Sequence, residues 1–172
     1  LVVYEIHVRD LTMDDTWNGT EANRGTFLGM CETGTKFSIG STTVTTGFDH
    51  IKELGVNAVQ ILPFFDASNK ETNFDQFNWG YNPQNYNVLE GQYSTDPYNA
   101  ETRIKEFKQM VQAYHDANIE IVMDVVYNHT YEPDSWLERM VPGYYNRRWE
   151  DGSLANGSAC GSDIAVGRAM VD

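Results

Sequence analysis

Three polar side chains gather at the end of one apolar run of the sequence. Residues 119–126 are nearly all β-branched or otherwise apolar, which is typical of a strand buried on both faces of a parallel sheet. Asp124 lies within this run, and Asn128 and His129 follow where the strand would become a loop. A buried carboxylate needs a hydrogen-bond or ion-pair partner. Because parallel α/β folds carry their active sites at the carboxyl ends of strands, we predict a site here.

Each of these side chains also has a structural interpretation. Asp124 could bond to neighbouring loop amides, Asn128 could be a turn residue, and His129 could be a buried histidine whose hydrogen bonds are satisfied. Asp124 and His129 could also be metal ligands of a barrel hydrolase. That interpretation lacks the further histidine or carboxylate cluster that such metal sites need.

Aromatic residues are concentrated in two long segments that follow predicted strands. Segment 64–98 is far longer than the usual connection of about two to six residues, and its aromatic content argues against disorder. Sugars stack their C–H faces on aromatic rings and bond their hydroxyls to carboxylates, amides and imidazoles. We therefore predict a sugar-binding surface, although most of these rings could serve only to pack the loops. The rings of the two segments are Phe64, Phe65, Phe74, Phe77, Trp79, Tyr81, Tyr86, Tyr93 and Tyr98, then Trp136, Tyr144, Tyr145 and Trp149.

Alternating strands and helices must position these segments. The predicted elements are a strand at 2–8, a helix at 46–54, a strand at 56–63, a helix at 99–118 and the strand at 119–126. Gly55 would end the first helix, Asn99 would cap the second, and Asp163 would cap a third. Residues 9–46 are expected to form a long loop. This order of elements predicts right-handed crossovers and a parallel sheet.

The length and net charge of the chain limit the folds and partners that are possible. A complete eight-stranded α/β barrel takes about 250 residues, so if this chain of 172 residues forms a barrel, the barrel is incomplete. The net charge of -13 argues against nucleic acid and anionic membrane surfaces as partners, and no apolar run could span a bilayer. The start at Leu1 carries no signal-peptide pattern, which leaves bacterial cytoplasm and secretion both open. Cys31 and Cys160 are interpreted as free thiols.

Several short motifs resemble one enzyme family. Residues 124–129, Asp-Val-Val-Tyr-Asn-His, resemble the first signature region of glycoside hydrolase family 13, the α-amylase family of retaining (β/α)8-barrel enzymes. Residues 77–83, Phe-Asn-Trp-Gly-Tyr-Asn-Pro, resemble the Tyr-Asn-Trp-Gly-Tyr-Asp/Asn-Pro stretch of type I pullulanases and relatives. Segments 4–10 and 156–163 are also similar to pullulanase segments. Phe77 replaces the usual Tyr, and Ser162 stands where Asn is common.

The resemblance implies a fold and a boundary. Residues 1–172 would be the N-terminal portion of an α-amylase-type catalytic barrel, a single incomplete domain. Its α/β fold would be a partial (β/α)8 TIM barrel, with roughly the first three βα units, the start of the third helix and long βα loops. In the family the nucleophile Asp lies on the fourth strand, the acid/base Glu on the fifth, and a stabilising Asp beyond the seventh. All three would lie beyond Asp172, so the fragment alone is expected to be inactive.

The resemblance also implies roles for individual residues. Tyr81 would stack on the sugar at the subsite of cleavage, His129 would bond the hydroxyls of that sugar, and Asp124 would brace the surrounding network. Asn128 occupies a position that binds structural calcium in many α-amylases, but no metal is assigned and no cofactor is required, with calcium optional. The full substrate-binding set is Tyr81, His129, Asp124, Trp79 and Asn82.

The implied activity is debranching. A pullulanase-type enzyme hydrolyses α-1,6-glucosidic linkages in pullulan, starch or glycogen with retention of configuration, using two carboxyl groups about 5 to 5.5 Å apart. The partner would be an α-glucan polysaccharide or oligosaccharide, and unpaired sheet edges could allow self-association. The alternatives are another family 13 enzyme (neopullulanase, isoamylase or α-amylase) and a non-catalytic carbohydrate-binding relative.

Overall fold

The structure is a computed structural model that describes residues 1–73 and 76–167. Its strands are, in chain order, β1 (Val3–Ile6), β2 (Lys36–Ile39), β3 (Thr42–Thr45), β4 (Ala58–Ile61), β5 (Phe65–Ala67), β6 (Pro83–Leu89), β7 (Glu120–Met123), β8 (His129–Thr130) and β9 (Ser162–Asp163). Its α-helices are α1 (Asp10–Met13), α2 (Gly47–Leu54), α3 (Ala100–Asp116) and α4 (Trp136–Met140). Short 3-10 helices cover Glu21–Asn23, Gly29–Cys31 and Gly91–Tyr93.

A three-stranded parallel sheet forms the centre of the fold. The strands lie in the order β1-β4-β7, with Val3 opposite Ala58 and Ile61 opposite Met123. Helix α2 connects β1 to β4, and helix α3 connects β4 to β7, as the order of predicted elements required. The buried core lies between this sheet and the two helices and contains Ile6, Val8, Phe27, Met30, Phe48, Ile51, Val59, Ile61, Phe64, Tyr93, Met110, Tyr114 and Ile119.

The two connecting helices begin and end as predicted. Gly55 follows α2 with a φ of 67°, and its N–H donates to the Lys52 carbonyl, which is the left-handed ending that glycine favours. The Asn99 side chain accepts from the N–H groups of Glu101 and Thr102 at the start of α3. The apolar residues Ile104, Phe107, Val111 and Tyr114 at helical spacing predict one buried stripe on α3; Tyr114 is buried in the core, whereas Ile104 is 47% exposed.

A hairpin lies in the region expected to be a long loop. Strands β2 and β3 pair antiparallel through a two-residue turn at Gly40 and Ser41, and Gly40 has a φ of 59°. The sequence did contain a signal for this turn, since Gly-Ser between two strand-forming runs is typical of a tight hairpin. The prediction of a long loop over residues 9–46 is therefore wrong for this part.

The long stretch after β4, which is rich in aromatic residues, is also folded. Strands β5 and β6 pair antiparallel, with irregularities on both sides of Asp66 that explain why no period of two appears in the sequence. The N–H of Phe27 donates to the carbonyl of Tyr93, which attaches this segment to the core. Phe74 lies outside the described residues.

The predicted helix cap at Asp163 is wrong. Asp163 lies in β9, which pairs antiparallel with β8 so that Asp163 is opposite His129. Its carboxylate accepts from the N–H groups of Gly157 and Ser158, which lowers its pKa and closes a turn within the preceding loop. Aspartate serves turns and helix caps by the same chemistry, so its type did not distinguish them. The remainder of the predicted third helix lies largely outside the described residues.

The third strand is less buried than its composition suggested. Val122 in β7 is 39% exposed, and exposure alternates along the strand, so among the described residues only the face that carries Ile121 and Met123 is packed against the core. Cys31 and Cys160 are free thiols, as predicted. In the described part of the chain, helices of sufficient length and apolarity to cross a membrane are absent.

Candidate functional site

One seven-residue segment crosses the carboxyl ends of all three parallel strands. This segment, residues 77–83, is called the aromatic segment below. It contacts His7 after β1, Pro63 after β4, and Asp124 and His129 after β7. The position is the one at which parallel α/β folds carry their sites.

The first anchor is His7. Its Nδ1 accepts from the Asp10 N–H at 3.3 Å, so Nε2 carries the proton and donates to the Asn78 carbonyl at 3.0 Å. The Tyr93 hydroxyl lies 3.0 Å from the same nitrogen. Burial lowers the pKa of His7 and favours the neutral ring. The ring centroids of His7 and Phe77 are 5.4 Å apart, so one histidine holds both the backbone and a ring of the segment.

The second anchor is a close backbone approach at Gly80. A Cβ atom at this position would lie 2.2 Å from the Pro63 carbonyl oxygen, and the φ of Gly80 is +85°. The N–H of Gly80 donates to the Asn78 side-chain oxygen at 2.9 Å. Only glycine can adopt this positive φ without strain and also leave room for the Pro63 carbonyl oxygen, because it has no Cβ atom.

The third anchor joins Tyr81 to Asp124. The Tyr81 hydroxyl donates to Asp124 Oδ2 at 2.6 Å, the short distance of a charge-assisted hydrogen bond. This bond, together with partial burial, raises the pKa of Tyr81 to about 12. The Asp124 N–H donates to the Ile61 carbonyl at 3.0 Å and so keeps the carboxylate in register with β4. The Tyr81 side chain remains exposed on the segment.

His129 holds the backbone of the same tyrosine. Its Nε2 lies 3.1 Å from the Tyr81 carbonyl and its Nδ1 lies 3.1 Å from the Asn128 side-chain oxygen. The Tyr81 carbonyl and the Asn128 side-chain oxygen both only accept, so a neutral His129 ring donates to one of them and not to both. The His129 side chain is buried, with the residue 3% exposed, and the Tyr86 hydroxyl donates to its carbonyl oxygen. A contact between His129 and sugar hydroxyls stays a prediction.

The structure therefore brings Tyr81, Asp124 and His129 together, although they are far apart in sequence. Trp79 is exposed and packs edge-on against Phe77, with ring centroids 6.1 Å apart. These exposed rings beside a carboxylate can stack on an apolar ring face and accept hydrogen bonds from hydroxyls.

Asn82 lies behind this exposed surface. Its side-chain nitrogen donates to the Ser68 carbonyl at 3.0 Å, and the Ser68 N–H donates to the Asn82 carbonyl at 2.9 Å. These bonds hold the end of the aromatic segment against the chain that follows β5. The predicted role of Asn82 in binding substrate stays a prediction.

One acidic cluster in the described part of the chain has the spacing of a metal site. Oxygen atoms of Asp66, Glu71 and Glu90 lie within 4.8 Å of one another, and oxygen is the ligand that Ca²⁺ prefers. Both Glu90 oxygens already accept backbone N–H groups, from Ala67 and Gln92. Burial raises the pKa of Glu71 and of Glu90, and the neighbouring carboxylates add to the shift. Asn128, the predicted calcium position, does not belong to this cluster.

Sequence reasoning missed the anchors at His7 and Pro63. A signal for His7 was present, since it follows the first predicted strand as Asn128 and His129 follow the third. No signal pointed to Pro63, because its carbonyl acts through a close backbone approach that only the folded chain reveals.

The family model for the α-amylase catalytic domain matches residues 34–151, which is more than half of the chain. The chain belongs to the α-amylase catalytic-domain family. A pullulanase of Bacillus subtilis (strain 168) is 39% identical over 98% of the chain, and isoamylase 3 of Oryza sativa subsp. japonica, a chloroplastic protein, is 31% identical over 99%. The chain covers 23% and 22% of these two α-amylase-family relatives, so it spans about a quarter of their length.

Solved structures agree with this assignment. The pullulanase of Paenibacillus barengoltzii, solved in complex with maltohexaose and α-cyclodextrin, matches 98% of the chain with a TM-score of 0.89 and 44% sequence identity. The matched part is 26% of that α-amylase-family structure. The architecture is therefore that of a partial TIM-barrel-type α/β fold.

Proposed function

We propose that the protein containing this chain is a pullulanase-type debranching enzyme. It hydrolyses α-1,6-glucosidic linkages in pullulan, starch or glycogen with retention of configuration. Residues 1–172 are the N-terminal portion of its catalytic barrel and supply part of the sugar-binding rim. The catalytic nucleophile and acid/base belong to later strands of the barrel.

The observation that carries this proposal is the bond between Tyr81 and Asp124. It fixes the orientation of an exposed ring at the carboxyl ends of the sheet, where a retaining glycosidase needs its substrate. The similarity to pullulanases over nearly the whole chain supports the α-1,6 linkage. A P. barengoltzii pullulanase bound to maltohexaose supports an α-glucan as the ligand.

Each site residue then has a distinct task. Tyr81 stacks on the sugar at the subsite of cleavage, and Asp124 holds the tyrosine hydroxyl while its remaining lone pairs accept from sugar hydroxyls. His129 fixes the Tyr81 backbone, and its proposed hydrogen bond to a sugar hydroxyl would replace one of the two contacts that its ring nitrogens make. Trp79 extends the same exposed surface, and Asn82 supports that surface from behind and completes the proposed binding set.

The test is the product formed from pullulan by the full-length protein. Pullulan joins maltotriose units through α-1,6 bonds, so debranching releases maltotriose, whereas α-1,4 cleavage releases panose. Proton NMR of the first product should show the α-anomer, as retention requires. The 172-residue chain alone is the control and should release nothing, since loss of a covalent nucleophile alone can cost about 10⁶ in turnover.

The second candidate is another specificity of the family, which the 31% identity to an isoamylase supports. Panose as the main product would favour a neopullulanase, and faster hydrolysis of amylose than of pullulan would favour an α-amylase. Release of no product, with maltohexaose still bound, would favour a non-catalytic carbohydrate-binding relative.

A further inference from the structure

A second exposed ring lies near the aromatic segment, at the start of α4. Trp136 is 52% exposed, and the Arg139 guanidinium carbon lies 5.2 Å from the centroid of the ring. Arg139 Nη2 in turn lies 3.4 Å from Asp134 Oδ2. The cation covers part of the indole and is itself held by the carboxylate, so the ring is supported while about half of its surface stays available.

A cavity of about 110 Å³ opens beside this ring. It is lined by Pro83 and Gln84 of β6, by Glu132, Asp134 and Ser135 immediately before α4, and by Trp136 and Arg139 of α4. Carboxylates, an amide, a hydroxyl and a guanidinium therefore surround an indole. That combination suits a sugar, whose hydroxyls both donate and accept while its C–H face stacks.

The cavity adjoins the aromatic segment, because Pro83, which lines the cavity, is the last residue of that segment. Pro83 follows Tyr81 by two residues, a span of roughly 7 Å in extended chain. The Asn82 side chain donates to the Ser68 carbonyl at 3.0 Å, and the Ser68 hydroxyl lies 3.4 Å from Glu132 Oε1. A short run of contacts thus joins the tyrosine to the wall of the cavity.

We propose that Trp136 and Glu132 form an additional subsite, which binds a second glucose residue of the α-glucan whose neighbouring residue stacks on Tyr81. The C–H face of the sugar stacks on the Trp136 indole, and a sugar hydroxyl donates a hydrogen bond to the Glu132 carboxylate. This inference rests on the proposed function, since it extends the same substrate along the same face.

The test is a comparison of Trp136→Ala, Trp136→Phe and Trp149→Ala in the full-length protein. With pullulan as substrate, Trp136→Ala should raise KM roughly 10-fold and leave kcat unchanged. The variant loses the same stacking contact in the substrate complex and in the transition state. Trp136→Phe keeps an aromatic face and should retain most of the affinity. Trp149 is 57% exposed on the same loop but lines no part of this cavity, so Trp149→Ala should leave KM unchanged.

Substrate length provides a second readout. A branched oligosaccharide that reaches only the Tyr81 subsite should show the same KM with wild-type protein and Trp136→Ala. Glu132→Gln is a conservative change at an exposed residue and should raise KM for pullulan about 3-fold. It tests the subsite even if Trp136→Ala fails to fold. An unchanged KM for pullulan in the folded Trp136→Ala or in Glu132→Gln overturns the subsite alone. A wild-type protein inactive on pullulan overturns the proposed function and the subsite with it.

Discussion

Tyr81 combines two properties that usually compete in one side chain. Its ring is exposed enough to stack on a ligand, yet its hydroxyl donates to Asp124 at 2.6 Å and its backbone carbonyl faces His129 at 3.1 Å. An exposed ring that is held at both ends loses little conformational entropy when a ligand binds. The value of Asp124 and His129 to the site is therefore in orienting the tyrosine.

Replacing Tyr81 by phenylalanine should separate stacking from orientation. Tyr81→Phe keeps the ring but leaves Asp124 without its donor, and a hydrogen bond to a charged group contributes about 1.5 to 3 kcal/mol. Because the site is partly exposed, a water molecule can donate to Asp124 in place of the hydroxyl and recover part of this energy. We therefore expect kcat/KM for pullulan to fall about 10-fold. Tyr81→Ala, which removes the ring too, should cost roughly 100-fold or more.

Tyr98→Phe is the matched control for this comparison, since Tyr98 is the most exposed tyrosine and should tolerate loss of its hydroxyl. Equal kcat/KM for wild-type protein and Tyr81→Phe would show that the hydroxyl bond does not orient the ring.

The acidic cluster gives stability a dependence on pH. Burial and the charge of Asp66 raise the pKa of Glu71 above its ordinary value of 4.5, even with Arg103 nearby. The folded state then binds the proton more tightly than the unfolded state. The contribution of Glu71 to stability is therefore largest below about pH 4.5 and is lost as the pH rises through the raised pKa.

Glu71→Gln should remove the destabilisation that the ionised Glu71 carboxylate causes at neutral pH. With EDTA present, the variant should melt at a higher temperature than wild-type protein at pH 7, and the difference should shrink toward zero at pH 4. Thermal unfolding followed by circular dichroism measures both, and Glu150→Gln, at an exposed carboxylate, should show no such trend. A lower melting temperature for Glu71→Gln at pH 7 would contradict the predicted sign. If calcium raises the wild-type melting temperature and not that of Glu71→Gln, the cluster holds the ion.

The site was predictable from the sequence only in part. The resemblance predicted that Tyr81, Asp124 and His129 share one site, and the structure brings them together; the strand assignment placed Asp124 at a carboxyl end. Hydrogen bonds to backbone carbonyls, as from His7 to Asn78, depend on how distant segments meet, and residue types alone do not encode them.

At the level of elements, Gly80 controls how closely the aromatic segment lies on the sheet. Gly80→Ala would place a methyl group 2.2 Å from the Pro63 carbonyl at a φ of +85°. Because neither atom belongs to a flexible side chain, the segment must move outward. We expect a loss of about 2 to 4 kcal/mol in the free energy of unfolding and a large loss of pullulan hydrolysis.

Gly152→Ala provides the matched control. Gly152 has a φ of +83° but its Cβ would meet nothing within 4 Å, so only backbone strain of about 1 to 2 kcal/mol applies. Thermal unfolding of both variants measures the difference. Equal losses of stability in the two variants would mean that the approach to Pro63 is not tight.

The elements that the sequence predicted share strong local signals. Helix α3 has a capping asparagine and β4 a proline stop, and neither needs knowledge of the rest of the fold. Strands β5 and β6 pair across irregularities that erase the period of two, and Asp163 carries a side chain suited equally to turns and caps. These elements depend on long-range pairing, which a single sequence does not display.

At the level of the whole molecule, the sheet has open edges in the part of the chain that the structure describes. Among residues 1–73 and 76–167, strands β1 and β7 each pair only with β4, and Val3, Tyr4 and Val122 are exposed on them. The alternation of strands and helices predicted that β1, β4 and β7 are parallel. It did not predict the exposure of β7, because the composition of this strand resembles that of a fully covered strand.

The 172-residue chain should therefore self-associate. Unpaired strand edges with apolar side chains favour pairing with a second copy, so we expect the sedimentation coefficient to rise with concentration. Val122→Lys places a charge on the β7 edge and should shift the equilibrium toward monomer. A wild-type chain that stays monomeric across the whole concentration range would contradict this expectation.

The attachment of residues 77–83 at His7, Pro63 and Asp124 has a consequence for sequence length. A loop tied only at its ends absorbs an added residue by bulging, but here three contacts divide seven residues into intervals of one or two. An inserted residue must break one of those contacts or push the tyrosine off its aspartate. Length variation among functional homologues is therefore expected on either side of this stretch and not within it.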